Sequence, residues 1–404
     1  MEGCDKLIQS LYIDNFKALN DFTIKMQQIT VLIGTNGSGK TSILQALDLI
    51  INFAQMDIDA YLEKRNWKPY DLKSKTSSKN HVTFTILFDI DIDIDGCEKL
   101  IEWTFVLNPV KGKGKIFVIS EEIVNKANPK IKLLSVDSQG ISRFNFVEDK
   151  IESFPPLNMT SSFLKNIDIQ KDKAKFPELV AIIEFLTASD SFELLSTEKM
   201  RRSSRGDADT IGMGGEKLAA FIHGLKPEQR RKVSERLQNY VPFISDVETE
   251  VKGRPGWLEI KLSESFPSEK LPISISSTHV SDGTLRMLAI SALQEAGKTA
   301  GMDLLDEIEN GINPHLAEKM VNDLIEGTKN KRRQIILTTH STVILDYFPP
   351  DSIIFLWRDK QGVVHNQALF SIPNIRERLE YMYPGEIWLN MDENEIVAKL
   401  LGEK

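Results

Sequence analysis

Cysteine is nearly missing from this 404-residue chain: Cys4 and Cys97 are the only two. They allow no disulfide framework and no CxxC metal spacing. Long apolar runs are missing too, and none approaches the ~20 residues that a bilayer-spanning helix needs. The opening "MEGCDKLIQSLYIDNF" has no basic stretch followed by an apolar one, so it does not read as a secretory signal. A surplus of basic charge is lacking as well, with 50 Lys+Arg against 58 Asp+Glu and a net charge of −8. That balance disfavours indiscriminate attraction to nucleic acid or anionic membrane and leaves only a local basic groove possible. There is no internal repeat, no heptad run and no low-complexity tract, which excludes a long coiled-coil arm. What is left, 41% hydrophobic and 27% charged, is an ordinary soluble globular composition with room for two or three domain-sized units, expected in the cytoplasm without a membrane partner.

The pattern changes along the chain. Strand-like stretches open it, and "HVTFTILFDIDIDID", "KLIEWTFVL", "GKIFVISEEIV" and "KIKLLSVD" alternate with period two between 81 and about 150, an antiparallel β signal. From about 158 to 240 the pattern becomes helical, with "PELVAIIEFLTASDSFELL" and "KPEQRRKVSERLQNYV", interrupted by a polar loop at 200–214. Thereafter strand and helix alternate as in a parallel α/β layer. The division expected is 1–155, a first lobe with an antiparallel β subdomain; 156–250, a mainly helical lobe; and 251–404, the return to the first lobe.

"GTNGSGKT", Gly34–Thr41, fits GxxxxGK[ST]. Backbone N–H groups of Asn36, Gly37 and Gly39 through Ser42 can turn around a polyphosphate, Lys40 can reach its β/γ-phosphates, and the Thr41 hydroxyl can ligate Mg²⁺. The context is right, because the apolar "ITVLI" precedes the loop and "SILQALDLI" follows it as a helix whose N-terminus faces the anion. "LLDEIENGINPHL" ends an apolar run in two adjacent carboxylates, which need a cation nearby. In a P-loop protein a second strand supplies a carboxylate to the Mg²⁺. Asp306 suits that role, and Glu307 would orient the attacking water. Asp303 interrupts the run and should shorten the strand. His340, at the end of "IILTTH", can contact the γ-phosphate. In "HVSDGTLRMLAI", Ser281 and Gly283 open a helix primed for an anion.

This set, in this order, resembles the ABC-type ATPase heads, and within them the soluble branch of SMC, RecF-like and OLD (overcoming lysogenisation defect) ATPases. "LYIDNFKAL", "SDGTLR" and "DEIENGINP" look like small OLD-like ATPases, many of them in bacterial anti-phage systems. The resemblance covers roughly 1–50 and 270–360. It implies an ABC-type P-loop head with ATP and Mg²⁺ as ligands. Glu307, His340 and Lys40 would serve hydrolysis, and Thr41 and Asp306 the metal. Two heads would sandwich two ATP molecules, with Ser281 and Gly283 supplied by the other subunit, so self-association as a dimer or higher even-numbered oligomer is expected. SDG replaces the transporter-like SGG, Asn313 stands where OLD-like members usually have histidine, and no Q-loop glutamine is assigned.

OLD-family nucleases carry a C-terminal TOPRIM metal-nuclease domain. The tail "PGEIWLNMDENEIVAKLLGEK" has acids but no strand-borne DxD arrangement. The expectation is therefore an ATPase without a nuclease site of its own, acting as sensor or scaffold for a separately encoded nuclease or toxin. A RecF- or SMC-like DNA-repair ATPase is the alternative. A transporter subunit ranks last, because about 240 residues separate Lys40 from Ser281.

Two signals are discounted. "DIDIDGCEKLIE" (91–102) fits the calcium-loop pattern through Asp91, Asp93, Asp95, Gly96 and Glu102, but its flanks read as strands where a calcium loop needs helices. Lys111, Lys113 and Lys115, "RRSSR" (201–205) and "EQRRK" (228–232) are basic clusters that read as solvated faces, with DNA or RNA contact left open.

Overall fold

The computed structural model describes residues 7–90, 100–109, 116–129, 131–192, 196–253, 256–269, 271–296, 298–392, 396–397 and 400. One layer is a largely parallel sheet, ordered Asp190–Phe192, Met302–Leu305, Gln334–Thr338, Ile29–Ile33 and Ile353–Arg358, with Val364–Ala368 added antiparallel at the far edge. Its strands are apolar on both sides. Leu32, Leu304, Ile336 and Leu356 enter one core, whereas Val31, Ile33, Leu305, Leu337 and Phe355 enter the other. That double burial is why "ITVLI" and "IILTT" read as unbroken apolar runs. The parallel strands end along one edge, where open α/β sheets bind their ligands.

The first core lies between this sheet and an antiparallel one. The latter runs Phe22–Lys25, Leu7–Asp14, Val82–Asp89, Leu100–Pro109, Ile116–Asn125, Lys132–Asp137, Gly140–Asn145 and Lys150–Phe154. Helix Lys40–Phe53 is enclosed by both, with Ile43, Leu47, Ile50 and Phe53 buried. Phe53 meets Phe105 at 4.5 Å between ring centroids, and Phe105 meets Trp103 at 4.9 Å and Phe84 at 5.0 Å. Gln334, fully buried, ties the two layers by hydrogen bonds with both the N–H and the carbonyl of Ile8.

Val82–Asp89 and Leu100–Pro109 pair antiparallel from Val82↔Leu107 to Asp89↔Leu100. The flanks of the calcium-like pattern are thus strands, and Glu102 lies within one, accepting from Lys126 at 3.0 Å. Asp91, Asp93, Asp95 and Gly96 lie outside the described residues, as do Lys111, Lys113 and Lys115.

Three elements differ from the sequence reading. The helix expected across "PELVAIIEFLTASDSFELL" stops at Ala188, and Asp190–Phe192 becomes an edge strand beside Met302–Leu305. The break follows from Ser189, whose hydroxyl turns back to Phe185 O (2.8 Å) while accepting from Met302 N (2.9 Å). Ile244–Lys252 and Ile273–Ser276 join Trp257–Glu264 in a three-stranded sheet where one strand was expected. Their charges hid them: Glu250 pairs across the sheet with Lys261 (3.3 Å) and Lys252 with Glu259 (3.0 Å). Asp303 does leave a short strand, and its carboxylate is held by the buried Arg333 at 2.5 and 2.7 Å. Arg333 also donates to carbonyls of Ala188 and Lys298, which pins the edge strand. Beside this pair, burial followed by the Asp303 charge pushes Asp190 up to about 6.

Among the described residues no helix is long and apolar enough to cross a membrane.

Candidate functional site

At the carboxyl edge of the parallel sheet the chain leaves Ile33 and must turn sharply into the helix beginning at Lys40. Gly34 has φ +140°, and a Cβ there would lie 2.1 Å from the carbonyl oxygen of Leu356 on the neighbouring strand. Only glycine fits. Gly39, at φ +107°, caps the helix, and a Cβ would stand 3.1 Å from Val364. Lys40 is buried and donates to the carbonyls of Gly34 (2.6 Å) and Thr35 (2.9 Å), so its ammonium lies inside the loop. Ser38 Oγ is buried in the same loop without a hydrogen-bond partner among the described residues.

Three other strands of the sheet complete a cleft. It is lined by Asn36, Gly37, Gly39, Lys40, Thr41 and Ser42 from the loop and helix, by Asp306 and Glu307, by Thr338 and His340, and by Arg358. Each of these sits at or just beyond a strand's carboxyl end, because the sheet is parallel there. Thr338, not singled out by sequence, organises the acids: its hydroxyl donates to Asp306 (2.5 Å) and accepts from the Glu307 N–H (2.9 Å). Glu307 itself has φ +46°, a left-handed conformation that a non-glycine residue adopts only when its surroundings hold it there. Its carboxylate accepts from Asn310 (2.6 Å), and its other oxygen stands 3.9 Å from His340 Nε2. His340 is exposed, and its N–H donates to Glu309 (2.6 Å). Arg358 was also missed; it ends the apolar strand Ile353–Arg358 with nothing local to mark it.

The donor chemistry fits a magnesium nucleotide. The Thr41 hydroxyl and the Asp306 carboxylate face one cleft as hard oxygen ligands, with Lys40 beside them for phosphate. Arg358 also lines a second groove, together with Lys17, Tyr70, Lys73 and Lys75.

Ser281 and Gly283 do not line this cleft. Ser281 caps helix Asp282–Ala296 by accepting from Thr284 N (3.2 Å), and it is exposed. Asp282 is bound by Arg201 at 2.6 Å, which lowers its pKa below the usual carboxylate range through that hydrogen bond. Other basic residues from the discounted clusters have acidic neighbours: Arg202 pairs with Glu198 (2.5 Å), Arg231 with Glu235 (2.8 Å) and Lys232 with Glu228 (3.5 Å). Asn313 caps a turn, its side chain accepting from His315 N (3.1 Å).

A parallel sheet with a phosphate loop, two carboxylates and a histidine along one edge, backed by an antiparallel lobe, is an ABC-type P-loop ATPase head. The family profile of the AAA ATPase domain matches residues 7–345. The chain is 38% identical over 393 residues to an OLD nuclease of Thermus scotoductus, an alignment spanning 93% of this chain and 67% of that one. The solved SMC head bound to the C-winged helix domain of ScpA matches its fold with a TM-score of 0.53 at 15% identity, over 89% of this chain and 96% of that one. The chain belongs to the AAA ATPase domain family, as an OLD-like ATPase, and shares its fold with the SMC head.

Proposed function

We propose that the chain binds MgATP in the Lys40 cleft, hydrolyses it when two heads associate, and serves as the sensor or scaffold subunit of a bacterial anti-phage defence complex. The observation that carries the ATPase part is the convergence of Lys40, Thr41, Asp306, Glu307 and His340 on one cleft that Ser281 and Gly283 do not line. A cleft missing its second anion site is what an ATP-sandwich dimer requires, with the helix beginning at Asp282 supplied by the partner copy. Lys40 would bind the β- and γ-phosphates. Thr41 and Asp306 would hold the Mg²⁺, which when bound neutralises phosphate charge. Glu307 would orient a water at the γ-phosphorus, so that a new P–O bond forms as the bond to ADP breaks. His340 would contact the γ-phosphate and lose that contact with it.

The defence role rests on the OLD-like resemblance. The effector is proposed to be a nuclease or toxin encoded separately, and the helical stretch within 156–250 and the antiparallel sheet are proposed as its contact surfaces, because the nucleotide residues avoid them. Under this reading the three segments 1–155, 156–250 and 251–404 act as functional lobes.

The experiment is a Glu307→Gln variant, made with the neighbouring genes of its genome and purified in ATP. Removing one group that orients the reaction typically lowers turnover by ~10²–10³, while nucleotide binding should persist and hold the closed state. Hydrolysis falling to background with a stoichiometric nuclease or toxin co-purifying would support the whole reading. A homodimer recovered only with DNA would replace the defence role by the repair-type alternative.

A further inference from the structure

The bend between Glu307 and Gly311 touches two things at once. On one side it carries the groups of the cleft: Glu307, Asn310 bound to it at 2.6 Å, and Glu309, whose Oε1 accepts from the His340 N–H at 2.6 Å. On the other side it lies against the helix that begins beside Ser281. A Cβ on Gly283 would stand 2.7 Å from Gly311 O, so helix and bend are in close backbone contact. A Cβ on Gly311 would lie 3.7 Å from Arg286 Nε and 3.6 Å from the Asp282 Cβ. Arg286 is one helical turn past Gly283, half-buried, and its side chain therefore runs along the bend.

The polar atoms there are unusual. Arg286 Nε is buried with no hydrogen-bond partner among the described residues, and so is Glu309 Oε2. Buried polar atoms are nearly always paired, so two unpaired atoms of opposite charge at one bend call for an explanation. Burial lowers the Arg286 pKa, and the opposing charges come from Asp282, Glu307 and Glu309. Asp282 is already engaged by Arg201. Of the two acids of the bend, Glu309 is the one that holds an unpaired buried oxygen.

We infer that Arg286 is a positioning residue that couples the Ser281 helix to the hydrolytic groups of its own chain, acting on Glu309 and through it on the backbone at His340. Since that helix is proposed to bind the partner's nucleotide, the relay would let occupancy of one site set the geometry of the other. The inference rests on the ATPase reading above.

Steady-state hydrolysis and nucleotide affinity, measured with a fluorescent ATP analogue, test it in the full chain with Arg286→Gln, Arg286→Lys, Glu309→Gln and the double Gln variant. Arg286→Gln should lower kcat by about ten-fold or more while KM and affinity stay within about three-fold. Arg286→Lys should recover part of the loss, and the double variant should be no slower than the worse single one, because both remove one contact. If Arg286→Gln does not fold, the near-isosteric Glu309→Gln reads the same kcat-against-KM split. Turnover within about two-fold of wild type, multiplying effects, or kcat, affinity and Tm falling together would overturn the relay. A wild-type chain that hydrolyses no faster than Lys40→Ala would instead overturn the ATPase reading, a result visible before either coupling variant is compared.

Discussion

The interior of the antiparallel sheet and the carboxyl edge of the parallel sheet treat a glutamate in opposite ways. Glu121 is buried beside Trp103, with its carboxylate surrounded by donors from Trp103 Nε1 (3.0 Å), Phe163 N (2.8 Å) and the Ser162 hydroxyl. Burial pushes it up to about 7 in spite of those bonds. Glu307 is half-exposed on a backbone at φ +46°. It trades regular conformation for reach into the cleft, whereas Glu121 keeps regular conformation and trades away its ready ionisation. One region stores its irregularity in the backbone, where a ligand can use it; the other hides it inside the packing, where only stability can feel it.

The largest effect should come from breaking the packed region. Trp103 is fully buried against Phe53, Phe88 and Phe105. Truncation to alanine should remove ~3–5 kcal/mol of stability, read from urea denaturation. The same variant, below its unfolding midpoint, should bind nucleotide as wild type does. An affinity that falls before stability does would show that the two regions are not separable.

A smaller effect is expected from filling the strained region. Gly34→Ala puts a Cβ against Leu356 O at a φ that alanine avoids, and should cost about 1–3 kcal/mol. Nucleotide affinity should fall by more than about ten-fold, because the loop can accept the methyl only by moving away from the phosphate position. Gly37 has open space around its would-be Cβ, so Gly37→Ala isolates the backbone term alone. Equal losses from both would mean that the Leu356 contact is unimportant.

The sequence exposed the cleft well because its groups are marked locally. A glycine spacing, a doublet of carboxylates and a terminal histidine are each read within a dozen residues, and parallel pairing then brings Ile29–Ile33, Met302–Leu305 and Gln334–Thr338 side by side. Alternation likewise exposed the antiparallel sheet from Val82 to Asp137. What stayed hidden depends on distant partners. Asp303 looks out of place until Arg333 is seen beside it, Asp190–Phe192 is a strand only because Met302–Leu305 offers an edge, and Thr338 matters only through Asp306. Arg286 and Glu309 sit in quoted motifs, yet the closeness of Arg286 to the Gly311 bend is a fact of packing. The charged strand Ile244–Lys252 was masked because its acids face lysines across the sheet and not solvent alone.

The smallest expected effect sharpens the comparison through pH. The Glu121 carboxyl ionises in the fold near 7, above its ordinary value of 4.5. Between those values the folded protein holds a proton that the unfolded chain has released, so the contribution to stability is full below about 4.5 and is lost as pH rises toward 7. Glu121→Gln cannot ionise, and the fall in stability between pH 5 and 7.5 should be shallower for it than for the wild type. Urea midpoints at several pH values for both proteins measure this directly. Parallel curves would mean that the three donors around Glu121 already compensate its burial, and the contrast with Glu307 would then be one of backbone alone.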